Sequence, residues 1–236
     1  MATPASTPHT ERKLRRASFA SLCLAALLSL AAQVSSAADR MHQTLGGDSQ
    51  RAPTILVFGD SLSAAYGIDS EQGWVSLLQR QLRDDGFAHR VINASISGET
   101  TAGGLRRLPD ALEKWQPTLL ILELGANDGL RGKPLKTIRD NLAQIIRTAH
   151  NANCRVLLLG MHIPPNYGPR YSDGFHALFE QLASEYSVAL LPFLLADVAT
   201  RSDWMQRDGL HPTADAQPTL LAHVWGVLEP LLQGRH

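Results

Sequence analysis

The chain has 236 residues, of which 44% are hydrophobic and 19% charged, as is ordinary for a folded globular protein. This composition excludes the disordered and fibrous classes, and the length fits one α/β domain with a full core. The 22 basic residues balance 22 acidic ones. A net charge of zero argues against nucleic acid as a partner, because proteins that follow a phosphate backbone need a basic surface.

The first residues have the features of a secretory signal peptide. Basic residues at positions 12–16 precede an uncharged apolar run over residues 17–32, and small residues then lead to an A-x-A-like cleavage site near Ala37. The alternative is a membrane anchor, but a spanning helix needs about 20 apolar residues, more than this run supplies. We predict that residues 1–37 are removed on export, with the bacterial periplasm as the expected destination, and that no stable membrane insertion follows. Residues 38–53 lack periodicity and are interpreted as a linker or tail.

The remainder, residues 54–236, is predicted to form one domain in which short apolar runs alternate with amphipathic stretches. In chain order the predicted elements are strand Thr54–Phe58, helix Trp74–Arg83, strand Arg90–Asn93, helix Thr101–Trp115, strand Leu119–Leu124, helix Leu135–Asn151, strand Arg155–Gly160, helix Tyr171–Tyr186, strand Val188–Pro192 and helix Asp215–Leu232. Near-continuous Val, Ile and Leu runs are typical of strands buried on both faces. Five strand–helix alternations predict a doubly wound α/β fold with a five-stranded parallel sheet.

In such a sheet the ligand crevice lies beyond the carboxyl ends of the strands, and a candidate nucleophile falls there. Ser61 follows the first strand within Gly59-Asp60-Ser61, although this motif alone is also compatible with a plain turn. Asp208 and His211 share the loop before the last helix. A catalytic imidazole needs a carboxylate beside its Nδ1–H, and a three-residue spacing across a turn can supply both groups. These residues predict a catalytic set of Ser61, His211 and Asp208.

Two further motifs lie at the same edge of the predicted sheet. Gly98 follows the second strand, and glycine lets its backbone N–H approach a reacting oxygen closely. Asn127 follows the third strand, where a side-chain amide can donate to the same oxygen. Taken singly, each residue is equally compatible with an ordinary turn.

Cys154 is the other candidate nucleophile, and it lies outside the predicted signal peptide. Its position at the start of the fourth apolar run favours a packed thiol. His162, His176 and His223 are interpreted as structural. No Cys/His cluster has zinc-ligand spacing and no glycine-rich phosphate-binding loop occurs, so neither a metal nor another cofactor is predicted.

Ser61, Gly98, Asn127 and His211, in this order, resemble the four blocks that give the SGNH (GDSL) hydrolase family its name, with Asp208 as the acid. The resemblance covers residues 54–236 and extends to the periplasmic acyl-CoA thioesterase I/lysophospholipase/arylesterase branch. The stretches similar to that branch are Pro165–Gly168, Arg170–Tyr171, Leu191–Phe193, Trp204–Pro212 and Asp215–Pro218.

This resemblance implies a three-layer α/β/α flavodoxin-like fold and hydrolysis of esters or thioesters through an acyl-enzyme without a cofactor. It also implies an oxyanion hole formed by the N–H groups of Ser61 and Gly98 and the amide of Asn127. The apolar loop over residues 160–172 is the expected acyl pocket. The residues predicted to bind substrate there are Ile163, Pro164, Pro165 and Tyr167.

Two other functions are weighed against a monomeric esterase that acts on a small-molecule acyl ester or thioester. A carbohydrate acetyl esterase of the same family would favour an open cleft lined by aromatic residues, whereas only 6% of this chain is aromatic. A non-catalytic module could hold a phosphate at the first turn, but it would not need Asp208 and His211 together.

Overall fold

The computed structural model describes residues 52–234, in which strands and helices alternate as the sequence predicts. The strands are β1 (Thr54–Gly59), β2 (Arg90–Asn93), β3 (Leu119–Glu123), β4 (Arg155–Leu159) and β5 (Ala189–Leu191). The α-helices are α1 (Trp74–Asp84), α2 (Thr101–Trp115), α3 (Ala126–Leu130), α4 (Leu135–Asn151), α5 (Pro169–Tyr186) and α6 (Gln217–Leu232). Short 3₁₀ turns lie at Ser70–Gln72, Pro165–Tyr167, Ser202–Trp204 and Ala214–Ala216.

The strands form one parallel sheet in the order β2-β1-β3-β4-β5. This arrangement confirms the predicted five-stranded parallel sheet. β1 and β3 lie side by side near its centre, and every residue of both strands is buried. Helices cover both faces of a parallel sheet, so its central strands need apolar side chains on both sides.

The helices form a layer on each face of the sheet. After β1 the chain adds β2 on one side of it. From β2 it crosses back over β1 and adds β3, β4 and β5 in turn on the other side. Right-handed crossovers therefore place α1 on one face and α2, α4 and α5 on the other. α1 packs against α6, while α4 packs between α2 and α5. The expected three-layer α/β/α architecture is confirmed.

Local differences from the predicted elements occur near the loops. Residues 126–130, for which no element was predicted, form the short helix α3, in which the carbonyl of Gly125 accepts the Gly129 N–H. The last helix begins at Gln217 rather than Asp215, since a 3₁₀ turn precedes it. The predicted signal peptide lies outside the described residues, as does most of the predicted linker. Among residues 52–234, no helix is both long and apolar enough to cross a membrane.

Because Gly104 of α2 has no side chain, the helix can pack closely against the sheet at this position. A Cβ there would lie 2.4 Å from Leu124 Cδ1 and 3.2 Å from Phe58 Cε1. Both neighbours are fully buried and have little room to move. Gly226 of α6, in contrast, has open space around the position of a Cβ.

We therefore expect opposite effects from the same substitution in two helices. Alanine favours a helix interior over glycine by roughly 1 kcal/mol, so Gly226→Ala should raise the free energy of unfolding. Gly104→Ala gains the same helix propensity, but its added methyl group overpacks the core, which costs about 1–3 kcal/mol. Urea unfolding of both variants beside the parent measures the two shifts. Equal stabilisation of both would contradict the close packing of α2 on β1.

Candidate active site

The site lies where the chain leaves β1 and β3, beyond the carboxyl ends of the central strands. The strand order reverses there, because β1 connects to β2 on one side and β3 lies on the other. Ser61 opens a helical turn directly after β1, with Ala64 N–H donating to Asp60 O at 3.0 Å and Tyr66 N–H donating to Ser61 O at 3.2 Å. This turn carries the serine hydroxyl beyond the end of β1.

Three side chains predicted to act together form a continuous hydrogen-bonded row. His211 Nε2 lies 2.8 Å from Ser61 Oγ, and His211 Nδ1 lies 2.7 Å from Asp208 Oδ2. The carboxylate favours the tautomer with the proton on Nδ1, which leaves the lone pair of Nε2 facing the serine hydroxyl. The structure therefore brings together a hydroxyl, a base and an acid in the geometry of a Ser-His-Asp triad.

The loop before α6 holds the acid and the imidazole in this arrangement. Asp208 Oδ1 accepts the N–H groups of Leu210 and His211 at 2.9 and 3.1 Å. The hydrogen bond from the Leu210 N–H, followed by that from the His211 ring, lowers the pKa of Asp208 to about 2. The acid therefore stays ionised at neutral pH beside the imidazole.

Gln206 joins this loop to the serine turn. Its backbone N–H donates to His211 O at 2.7 Å, and its side-chain Nε2 donates to Tyr66 O at 2.8 Å. The Tyr66 ring also packs against the imidazole of His211, with the two centroids 4.6 Å apart. The imidazole of His211 is thus positioned by contacts to both loops.

The three groups predicted to form an oxyanion hole lie on segments tied to the end of β1. Asn127 Nδ2 donates one N–H to Asp60 Oδ2 at 2.9 Å, which leaves its second N–H available. Gly98 has a φ of +79°, and its loop is attached to β1 by the Ile96 N–H, which donates to Gly59 O at 3.0 Å. Within residues 52–234, the backbone N–H groups of Ser61 and Gly98 have no hydrogen-bond acceptor. All three can therefore donate to a ligand.

Two buried carboxyl groups lie beneath the serine turn. Asp60 Oδ1 accepts the Leu62 N–H at 3.1 Å, in addition to the bond from Asn127 to Oδ2. Burial raises the pKa of Asp60 to about 6, although these hydrogen bonds and the nearby His211 act in the opposite direction. Glu123 is fully buried, and desolvation together with the charge of Asp60 raises its pKa well above the ordinary value. Burial and the neighbouring charge therefore favour the protonated form of Glu123.

A cleft of about 480 Å³ extends from His211 and Asn127 along the loop after β4. Its lining residues are mostly apolar: Leu62, Ala126, Leu130, Met161, Ile163, Pro164, Pro165, Phe193, Leu195, Ala199, Met205 and Leu210, with His162 and Gly209. Three of the four residues predicted to bind substrate, Ile163, Pro164 and Pro165, are among them. Tyr167 is not, because its ring turns to α3 and its hydroxyl donates to Leu130 O at 2.7 Å.

His162 was interpreted as structural, but it forms part of the cleft wall. Its ring stacks on His176 with centroids 3.6 Å apart and meets Phe193 edge-on at 4.4 Å. Desolvation, with a smaller contribution from His176, lowers the pKa of His162, so the ring presents a neutral surface to the cleft at pH 7. No sequence pattern indicated this position, since it depends on a contact between the loop after β4 and α5.

Cys154, the alternative nucleophile, lies just before β4 at the opposite edge of the sheet from Ser61. The thiol is buried, and desolvation raises its pKa to about 12, so it holds its proton at neutral pH. It lacks the thiolate character of a nucleophile. Among residues 52–234 there is also no group of three or more His, Cys, Asp or Glu side chains arranged to hold a metal ion.

Comparison with known proteins agrees with the fold and the site. The model of the GDSL-like lipase/acylhydrolase family matches residues 57–217. Esterase TesA of Pseudomonas aeruginosa is 51% identical over 181 residues, which cover 77% of this chain and 90% of that protein. Thioesterase 1/protease 1/lysophospholipase L1 of Escherichia coli K12 is 42% identical over 181 residues, covering 77% and 86% of the two chains.

A solved structure also agrees with this fold and this family. The psychrotrophic esterase EstA from Pseudoalteromonas sp., inhibited by monoethylphosphonate, superposes with a TM-score of 0.74 at 46% identity, covering 76% of this chain and 98% of that one. The chain therefore belongs to the GDSL-like lipase/acylhydrolase family. It is an ester hydrolase of that family, and the predicted SGNH resemblance is confirmed.

The raised pKa of Glu123 predicts how stability depends on pH. Its ordinary pKa is 4.5, and the folded state keeps the proton to well above that pH, whereas the unfolded chain releases it. The unfolded state then binds fewer protons, so the free energy of unfolding falls as pH rises above about 4.5. The free energy of unfolding falls by up to about 1.4 kcal/mol per pH unit over the range in which Glu123 is ionised only in the unfolded chain.

Glu123→Gln removes this titration while keeping the shape of the side chain. We expect the stability of the parent relative to this variant to be greater at pH 5 than at pH 8.5, as measured by urea unfolding. Glu113→Gln, on the exposed side of α2, is the matched control. A parent–variant difference that is the same at both pH values would mean that Glu123 is ionised in the folded protein.

Proposed function

We propose that the protein hydrolyses acyl esters or thioesters through an acyl-enzyme on Ser61, with His211 as general base and Asp208 as its acid partner. The observation that carries this proposal is the continuous row from Ser61 Oγ to His211 Nε2 at 2.8 Å and from His211 Nδ1 to Asp208 Oδ2 at 2.7 Å. This arrangement is how a serine hydroxyl, weakly nucleophilic by itself, becomes activated.

In the first half of the reaction, Ser61 Oγ attacks the carbonyl carbon while His211 Nε2 takes the hydroxyl proton. The tetrahedral intermediate then collapses, and His211 returns that proton to the leaving alcohol or thiol as the C–O or C–S bond breaks. In the second half, water attacks the acyl-Ser61 ester with His211 again as base. The carboxylic acid leaves and the serine hydroxyl is restored.

The negative charge that develops on the carbonyl oxygen is accepted by the N–H groups of Ser61 and Gly98 and by Asn127 Nδ2. These donors are supported as a set because each has an N–H without an acceptor among residues 52–234 and each is attached to the end of β1. Donors already in position stabilise the transition state more than the neutral carbonyl of the substrate.

The cleft favours an acyl chain over an acetylated sugar. Aliphatic side chains dominate its wall. Of the Phe, Tyr and Trp residues that the structure describes, Phe193 alone lines the cleft. A sugar site would instead present stacked aromatic faces and many polar groups. The names of the relatives, an esterase and a thioesterase/lysophospholipase, agree with a substrate that carries a hydrocarbon chain.

We also propose that the enzyme acts after export from the cytoplasm. The support is the order of a basic segment, an uncharged apolar run and a small-residue cleavage site in residues 12–38.

Ser61→Ala is expected to abolish turnover of p-nitrophenyl esters while leaving the melting temperature nearly unchanged, because the hydroxyl contributes little to the core. A fluorophosphonate probe should label the parent on Ser61 and leave this variant unlabelled. Ser184→Ala, on the exposed side of α5, is the control that should retain activity and labelling. An adduct on Ser63 or Ser95 would place the nucleophile elsewhere.

Asn127→Ala is expected to lower kcat by roughly 10²–10³ with little change in KM, because its N–H matters most once the oxygen carries charge. If Asn127 only formed the turn after β3, its loss would lower the melting temperature and spare kcat. Both quantities are therefore measured on the same preparation. A kcat within threefold of the parent would remove Asn127 from the oxyanion hole.

A further inference from the structure

Glu123 is a fully buried acid at the centre of the site that the proposed mechanism does not use. It is the last residue of β3 and lies directly across from Gly59 of β1 in the sheet. A Cβ on Gly59 would lie 2.5 Å from Glu123 Oε2. The carboxyl group of Glu123 therefore occupies the space that the missing side chain of Gly59 leaves at the end of β1.

From this position one oxygen of Glu123 holds both ends of the serine turn. Oε2 accepts the Asp60 N–H at 3.1 Å and the Ser63 hydroxyl at 2.8 Å. Asp60 and Ser63 flank the nucleophile at Ser61 on either side. The orientation of the Gly59–Asp60 peptide, through which the chain enters the turn, depends on this acceptor.

The other oxygen, Oε1, is buried and has no hydrogen-bond donor among the described residues. In the ionised carboxylate this oxygen would be a buried charged acceptor without a donor, which is costly, so burial favours the protonated form of Glu123. Desolvation and the negative charge of Asp60 raise the pKa of Glu123, and the hydrogen bond from the Asp60 N–H to Oε2 is the contact through which Glu123 fixes Asp60.

Asp60 continues the chain of contacts to the oxyanion hole. Its Oδ2 accepts Asn127 Nδ2 at 2.9 Å. An amide has a donor end and an acceptor end, and turning it over would present Asn127 Oδ1 to the developing oxyanion. The carboxylate prevents this, because it accepts hydrogen bonds from Nδ2 and repels the amide oxygen.

We propose that Glu123 is a positioning residue for the oxyanion hole: it fixes Asp60, and Asp60 in turn holds the amide of Asn127 with its second N–H free for the substrate oxygen. This inference rests on the proposed function, since it assigns Asn127 to that hole. Glu123 acts through two other residues and touches no reacting atom.

A comparison of three substitutions in two backgrounds tests the inference. Glu123→Gln keeps an oxygen that can accept from the Asp60 N–H and the Ser63 hydroxyl. Glu123→Leu fills a similar volume without hydrogen bonds, and Glu123→Ala provides a smaller apolar variant if the leucine variant does not fold. Each is made in the parent and in Asn127→Ala, and kcat, KM and melting temperature are measured for every protein with a p-nitrophenyl ester.

If Glu123 acts through Asn127, Glu123→Leu should lower kcat 10- to 100-fold with KM within threefold, and Glu123→Gln should restore kcat to within threefold of the parent. In the Asn127→Ala background, Glu123→Leu should cause less than a threefold further loss, because residues that act through one another are not additive. This pattern separates positioning from general loss of stability.

The opposing results are distinct. An equal loss of kcat from Glu123→Leu in both backgrounds, or a lower melting temperature with kcat unchanged, would overturn the positioning role. So would a tenfold loss of kcat in a normally stable Glu123→Gln protein. If instead Asn127→Ala by itself left kcat unchanged, the oxyanion assignment in the proposed function would fail, and the role of Glu123 would fail with it.

Discussion

The parallel pairing of β1 with β3 determines where chemistry can take place in this molecule. The pairing runs from Ile55 opposite Leu119 to Gly59 opposite Glu123, so both strands end at the same edge of the sheet. The next connections lead to opposite faces, and the loops separate to leave a crevice. Ser61 and Asn127 enter this crevice from the two sides. The hydrophobic burial that stabilises the strands therefore also creates the concave site.

The imidazole of His211 comes from a third segment, far along the chain, and its position depends on polar contacts rather than on the core. Ser61 and His211 are 150 residues apart in sequence, yet their side chains lie within 2.8 Å. Asp208 organises its own loop through two backbone N–H groups, and Gln206 attaches that loop to the serine turn. A hydrogen bond is sensitive to small displacements, and these contacts from two loops hold the imidazole in place.

The pair of buried carboxyl groups beneath the serine connects stability to activity. Burying an ionised acid is unfavourable, and the structure lessens the cost by raising the pKa of Glu123 and by placing donors beside the Asp60 carboxylate. An apolar residue in place of Glu123 would avoid that cost. Its presence at the end of β3 is understandable if the same groups orient Asn127 and the serine turn for the reaction.

The sequence alone determined the α/β class and the parallel sheet, and most elements begin or end within a few residues of their predicted positions. It also indicated Ser61, Asp208 and His211, because a triad leaves local marks: a serine directly after a strand and an acid three residues before a histidine. Only the tertiary structure decided which side chains line the cleft. It placed His162, Met205 and Leu210 there and turned Tyr167 away. The role of Glu123 could not be recognised within its apolar strand for the same reason. Periodicity and spacing describe a residue's neighbours along the chain. Burial and hydrogen-bond partners depend on segments that meet only when the sheet and its loops assemble.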